Sequence, residues 1–318
     1  MFGNLKYLLF LFFSFCYNLN AYELGIVTMF RNEANYLKEW IEYHRMLGVD
    51  HFLLYNDRST DNWEEVLNPY INSNLVEVFD WHALPGTAIF PGWQTAAYKD
   101  GLKRSLGNTK WIAFIDVDEF ILPKKNVNII DCLNEFYPHA DGVYICWRNF
   151  GTNNTYINPG EPILLRLTAA SEPLHSRNAS GKSIVKVDEV VIDQVWSPHQ
   201  LVLQKGAQYY NGSGHPLYFK DGDLQVDPKH TSDIIQINHY AMRDENFYQN
   251  VRLPRAITKE YGDLNLLKEH YESFNKTQDH QIIEFLIKNH PSMFTSFWKG
   301  ELKITKKYKK ANHEKRRM

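Results

Sequence analysis

The sequence predicts an α/β fold in which a mostly parallel, Rossmann-like sheet flanked by helices leads into a mixed α+β second half. Three observations predict it. Short apolar runs suited to buried strands alternate with stretches of helical periodicity, the first two strands end in polar clusters, and the most apolar run leads directly into Asp116-Val117-Asp118.

Glu23–Met29 is the first strand, closed by Phe30-Arg31-Asn32-Glu33. Leu37, Trp40, Ile41, His44 and Leu47 then fall at helical spacing, and Gly48 is a natural stop. His51–Tyr55 is the second strand, followed by the turn-rich Asn56-Asp57-Arg58-Ser59-Thr60-Asp61. The crossover is long enough for parallel strands, and it sets both polar clusters at strand C-termini, where open α/β sheets bind ligands. A helix over Trp63–Tyr70, a strand over Val76–Phe79 and a helix over Gln94–Leu106 precede Trp111–Ile115. That continuous apolar run reads as a central strand covered on both faces. Beyond residue 140 the pattern changes to short strand-like runs, Gly142–Cys146, Ile163–Leu167, Ser183–Val187 and Gln200–Leu203. Helical character returns over Glu245–Tyr261 and Asp279–Lys288.

A chain of 318 residues with 44% apolar and 23% charged content can bury one large core, so a single catalytic-sized domain is expected between the termini. The termini differ from it. Residues 1–21 hold the apolar run Leu5–Tyr17 with Lys6 near its start and Ala21 after it, a signal peptide or short membrane anchor. It points to the secretory pathway or cell envelope. Residues 301–318 form a basic tail, in which eight cations from Lys303 to Arg317 stand against Glu301 and Glu314, under a net charge of −2 for the whole chain. An acidic body with a basic tail is not the charge pattern of a nucleic-acid reader, although both ends suit contact with a membrane surface. Cys132 and Cys146 are candidates for a disulfide, Cys16 lying in the targeting run. Sequons stand at Asn153, Asn178, Asn211 and Asn275.

Two aspartates one residue apart, placed after a buried strand, suit a hard divalent cation, Mn²⁺ or Mg²⁺, with oxygen ligands. A diphosphate would complete its shell, and the ion would neutralise charge on a departing nucleoside diphosphate. The apolar context, Trp111–Ile115 before and Phe120-Ile121-Leu122 after, lifts Asp116 and Asp118 above a chance surface triplet, because carboxylates stranded there need a cation or donors. Asp57 and Asp61 can accept hydrogen bonds from base or ribose hydroxyls, and Arg31 can face a phosphate. The competing reading is a capped helix start, with Ser59, Thr60 or Asp61 as N-cap.

The stretch FRNEANYLKEWIEYHRMLGVDHFLLYNDRSTDN, the Gln94 helix and WIAFIDVDEFILP together resemble glycosyltransferase family 92 and the related family-2-like GT-A enzymes. The likeness continues through Trp147-Arg148-Asn149-Phe150-Gly151, Gly181-Lys182-Ser183-Ile184-Val185, His199 and Ile237–Arg252. It implies a nucleotide-sugar half over 22–125 and an acceptor half over 126–300. It further implies a nucleotide-diphosphate sugar donor near Arg31, Glu33, Asp57, Asp61 and Gln94, with Asp116 and Asp118 on metal and phosphate. His239 is the expected third metal ligand; Trp147, Lys182 and His199 are the expected acceptor contacts. The implied reaction is inverting displacement by a hydroxyl of a glycan, lipid or protein acceptor, for which Glu172, Asp193 and Asp244 all remain open as the base. Two rivals stand beside it: a non-catalytic carbohydrate- or nucleotide-binding protein on the same fold, and a metal-dependent nucleotidyltransferase or phosphohydrolase. No phosphate-cradling Gly-rich loop, Ser-His-Asp set or zinc-type cysteine cluster stands in the sequence.

Overall fold

Strand β1 (Tyr22–Phe30) lies at the centre of a parallel block, between β2 (His51–Asn56) and β4 (Thr109–Phe114), with β3 (Val76–Asp80) beyond β2. The reason its sequence is almost uniformly apolar is visible in the packing. Leu24 and Ile26 belong to the core on one face, with α1 (Ala34–Met46), while Val27 belongs to the core on the other, with α3 (Gly92–Ser105). Both faces are thus dry, as parallel strands require. Gly48 ends α1 with a φ of 96°, a left-handed position that glycine adopts without strain. Helix α2 (Trp63–Asn72) links β2 to β3.

This computed structural model describes residues 22–82, 92–220, 223–225, 232–258 and 263–292. The apolar run Leu5–Tyr17, expected to be a targeting segment, and the basic tail lie outside the described residues. Among the described residues no helix is long and apolar enough to cross a membrane.

Past β4 the sheet becomes mixed. β5 (Glu119–Pro123) and α4 (Ile129–Phe136) lead into β6 (Gly142–Asn149), which is separated from β4 by the antiparallel strand β8 (Gly181–Lys186). The short β7 (Ala169–Ala170) stands apart from the main sheet, pairing with β14 (Thr277–Gln278). β9 (Tyr209–Asn211) and β10 (Pro216–Leu217) extend the β6 edge, and β11 (Phe219–Lys220) pairs with β12 (Asp223–Leu224). β13 (Ile235–His239) runs parallel to β6 and antiparallel to β5. The α/β class is as the sequence predicts: the first four strands form an all-parallel block, and past β4 parallel and antiparallel pairs mix. Helices α5 (Glu245–Phe247), α6 (Leu253–Ile257), α7 (Leu264–Ser273) and α8 (Gln281–Asn289) are the last among the described residues, a π turn over Tyr248–Arg252 joining the first two.

Three expectations need correction. Ile163–Leu167 is a turn and not a strand: its apolar side chains are buried, but the amides of Ile163 and Leu164 go to the carboxylate of Glu39, at 2.8 and 3.2 Å, in place of a neighbouring strand. Gln200–Leu203 makes only an isolated bridge between Leu203 and Val190. The helical character expected over Glu245–Tyr261 is present from Glu245 to Ile257, with a π turn in its middle, and residues 259–261 lie outside the described set. Cys132 and Cys146 are not joined in a disulfide, each being buried in a different core cluster.

One close approach governs the centre of the second half. Gly181 pairs with Cys146, and a Cβ at Gly181 would sit 2.1 Å from the Ile145 carbonyl oxygen. Gly181→Ala must therefore push β8 away from β6. A loss of about 1–3 kcal/mol is expected, read as a lower midpoint in urea denaturation; an unchanged midpoint would contradict the packing described.

Candidate active site

The lip of β4 carries Asp116 into a cluster of donors. Lys182 Nζ lies 2.8 Å from Asp116 Oδ2, Gln94 Nε2 donates to Oδ1 at 2.9 Å, and Tyr98 OH lies 3.4 Å from the same oxygen. α3 supplies Gln94 and Tyr98, and β8 supplies Lys182. Only 1% of the Lys182 side chain is exposed. Burial opposes its charge, yet Asp116 and Glu119 outweigh burial and hold its pKa well above the ordinary lysine value. Lys182 therefore remains a cation beneath the cleft.

Two residues on, the arrangement differs. Asp118, Glu119 and His239 bring three ligand atoms within 4.8 Å of one another. Glu119 is fully buried; its Oε2 accepts the Asp116 amide at 2.9 Å, and its Oε1 has no hydrogen-bond partner among the described residues. Burial, together with the neighbouring aspartates, pushes the Glu119 pKa well above the carboxylate range despite Lys182. A buried carboxylate oxygen without a donor is a high-energy arrangement that a cation would relieve. His239 Nε2 faces Asp118 Oδ2 at 3.9 Å, and burial lowers its pKa to about 4, which leaves a neutral imidazole able to ligate. This trio shares Asp118 and His239 with the set Asp116, Asp118 and His239 expected from sequence, and Glu119 takes the third position while Asp116 faces Lys182 and Gln94.

Arg243 underlies the other side. It is buried, adopts a φ of 51°, and stacks its guanidinium 4.3 Å above the Tyr36 ring. Its Nη2 donates to Glu33 Oε2 at 2.6 Å, and its Nη1 stands 4.0 Å from Asp118 Oδ2. A left-handed arginine is uncommon and persists where the surroundings hold it. Burial raises the Glu33 pKa to about 7, with Arg243 opposing the rise.

A cleft of about 610 Å³ opens at the C-terminal ends of β1 and β4, with Glu119 and Arg243 buried outside its lining. Of the residues singled out from sequence, Glu33, Gln94, Asp116, Asp118, Trp147, Lys182, His199 and His239 line it. Arg31, Asp57 and Asp61 do not. Asp61 accepts the Ala34 amide at 2.8 Å and so caps α1 from the neighbouring loop; α2 begins at Asn62 without a side-chain cap. Asp57 accepts from Arg58 at 2.9 Å, in a seam where Asn32 and Thr60 also bond. Trp147 lies between His239, at 4.1 Å, and His199, at 5.3 Å. His199 Nδ1 reaches the Gly181 carbonyl at 2.9 Å. None of the three carboxylates left open as base lines the cleft, and Asp244 is committed to the amides of Phe247 and Ile157. Sequence reasoning missed Glu119, Arg243, Trp196, Arg252 and Arg255. Glu119 was within reach, being the next residue in the Asp116-Val117-Asp118-Glu119 run; Arg243 gave no signal, because a positive φ in an arginine has no pattern in sequence.

The family model for glycosyltransferase family 92 matches residues 25–295. The chain belongs to glycosyltransferase family 92. A family 92 protein of Oryza sativa subsp. japonica is 29% identical over 203 residues, 62% of this chain and 32% of that one. One of Ricinus communis is 26% identical over 238 residues, 72% of this chain and 38% of that one. This family 92 chain thus spans about a third of the length of the curated relatives it matches. Among solved structures, S. aureus TarS 1-349 is 13% identical with a TM-score of 0.38, over 86% of this chain and 75% of that one. Glucosyl-3-phosphoglycerate synthase from Mycobacterium tuberculosis, in complex with Mn²⁺ and UDP-glucose, is 17% identical with a TM-score of 0.31, over 53% and 57%.

Proposed function

We propose that this family 92 protein is a metal-dependent glycosyltransferase that moves a sugar from a nucleoside-diphosphate donor to a hydroxyl of a glycan, lipid or protein acceptor, with inversion. The observation that carries the reading is the convergence of Asp118, Glu119 and His239 beside an Asp116 already held by Lys182. Asp118, Glu119 and His239 would hold Mn²⁺ or Mg²⁺. The ion, when bound, neutralises charge that builds on the departing diphosphate. Arg252 and Arg255, which line the same cleft, add positive potential toward that group. Asp116, fixed by Lys182 and Gln94, presents its carboxylate to a ribose hydroxyl of the donor. Trp147 offers an apolar ring beside His239 for the face of a sugar. Inversion follows the family resemblance and calls for a single displacement, the acceptor hydroxyl entering opposite the diphosphate. The apolar run Leu5–Tyr17 supports a proposed address in the secretory pathway or cell envelope, and the basic tail supports contact with a membrane surface.

A panel of UDP- and GDP-sugars supplied with Mn²⁺ tests the reading through release of the nucleoside diphosphate. Release with at least one donor, abolished by EDTA and restored by Mn²⁺, is expected. Release of inorganic phosphate, or tight binding of every donor with no turnover, would instead favour the phosphohydrolase or the non-catalytic rival.

A further inference from the structure

From the hydrogen bonds behind His239 we infer that Asn149 and Asn178 are positioning residues for the metal centre: their side chains fix His239 in the tautomer that turns an unprotonated Nε2 toward Asp118. The inference rests on the metal role proposed above and extends it to two residues outside the cleft.

Backbone groups of known polarity fix the orientation of both amides. Asn178 points one end of its amide at two carbonyl oxygens, those of Glu172 and Pro173, at 3.0 and 3.1 Å. Carbonyl oxygens only accept, so that end is Nδ2. The opposite end, Oδ1, receives the Asn149 backbone amide at 3.2 Å and the Ser171 hydroxyl at 3.1 Å, which agrees with the same orientation from an independent donor. Asn149 Nδ2 also donates to this oxygen, at 2.9 Å. Its own orientation is then determined, and its Oδ1 is the atom facing His239 Nδ1 at 2.9 Å. An amide oxygen accepts and does not donate. Nδ1 of His239 therefore carries the proton, and Nε2 keeps its lone pair on the side where Asp118 lies.

The fold makes this relay rigid. His239 and Asn149 are register partners on the parallel strands β13 and β6, so their side chains meet because of strand pairing. Asn149 and Asn178 are 2% and 1% exposed, and no water competes for their amides. A hydrogen bond that orients a ligating imidazole through its second nitrogen also raises the basicity of the first. The same burial bears on the Asn178 sequon, since an amide committed to four partners inside the protein is closed to glycosylation in the folded chain.

Two measurements on the full chain test the relay. In the ¹⁵N-labelled, metal-free protein, long-range ¹H–¹⁵N spectra should show His239 as the Nδ1–H tautomer, its signal identified by loss in His239→Gln; an Nε2–H tautomer overturns the inference whether or not any variant folds. In Asn149→Leu, Mn²⁺ affinity measured by calorimetry should weaken about 10–100-fold, and the imidazole ¹⁴N modulation in the pulsed EPR spectrum of bound Mn²⁺ should vanish. Undiminished affinity with the modulation retained defeats the relay while leaving the metal role standing. A parent chain that takes up no Mn²⁺ defeats both.

Discussion

Asp118→Asn is expected to lower Mn²⁺-supported sugar transfer on the order of a thousandfold, with little change in melting temperature. The substitution keeps shape and removes charge at the point where three potential ligands meet. Burial pushes the Asp118 pKa up, but Arg243 and His239 outweigh it and hold the carboxyl below its ordinary range. Asp118 is thus an anion throughout the pH range in which such an enzyme works, and its loss removes a full charge from the centre. The fold should tolerate this, because Arg243 keeps its bond to Glu33 and its stacking on Tyr36. Nucleoside diphosphate release across a Mn²⁺ titration, with calorimetric Mn²⁺ binding beside it, provides the measurement. Turnover within tenfold of the parent would remove Asp118 from the metal centre.

How much of this was legible in the sequence follows from what each feature depends on. The strand–helix alternation from β1 to β4 was legible because both sheet faces are covered, which forces near-continuous apolar strands and periodic helices that no polar residue disguises. Asp116 and Asp118 stood out for the same reason: carboxylates after an apolar run are costly unless used. The second half resisted, because Ile163–Leu167 has the composition of a strand yet has its amides bound by Glu39, a residue 124 positions away along the chain. Pairings of that range leave no local pattern. The convergence of Glu119 with Asp118 and His239, and the pairing of Asp116 with Lys182 arriving from β8, were hidden likewise. Asp61 shows the opposite error. Its capping role was readable, but the helix it caps is α1, reached only because β1 and β2 are neighbours.

Lys182→Met is expected to cost about 3–5 kcal/mol of stability, the usual effect of deleting one partner of a buried charge pair. Methionine keeps the length and volume of the lysine stem, so the loss comes from electrostatics and not from a cavity. With the ammonium gone, Asp116 loses a partner at 2.8 Å and Glu119 one at 3.9 Å, while Gln94 alone continues to donate a short bond to Asp116. Asp116 is then left without its counter-charge, and Glu119, already pushed above the carboxylate range by burial and the aspartates, loses the cation that opposed that push. Urea denaturation of the metal-free chain measures the effect. The double variant Lys182→Met/Asp116→Asn supplies the internal control, because removing both charges restores neutrality; it should be more stable than Lys182→Met alone, a coupling that independent sites would not display. A single variant within about 1 kcal/mol of the parent, or a double variant whose loss equals the sum of its parts, would mean that Lys182 neither anchors Asp116 nor supports the charge balance on which the cleft depends.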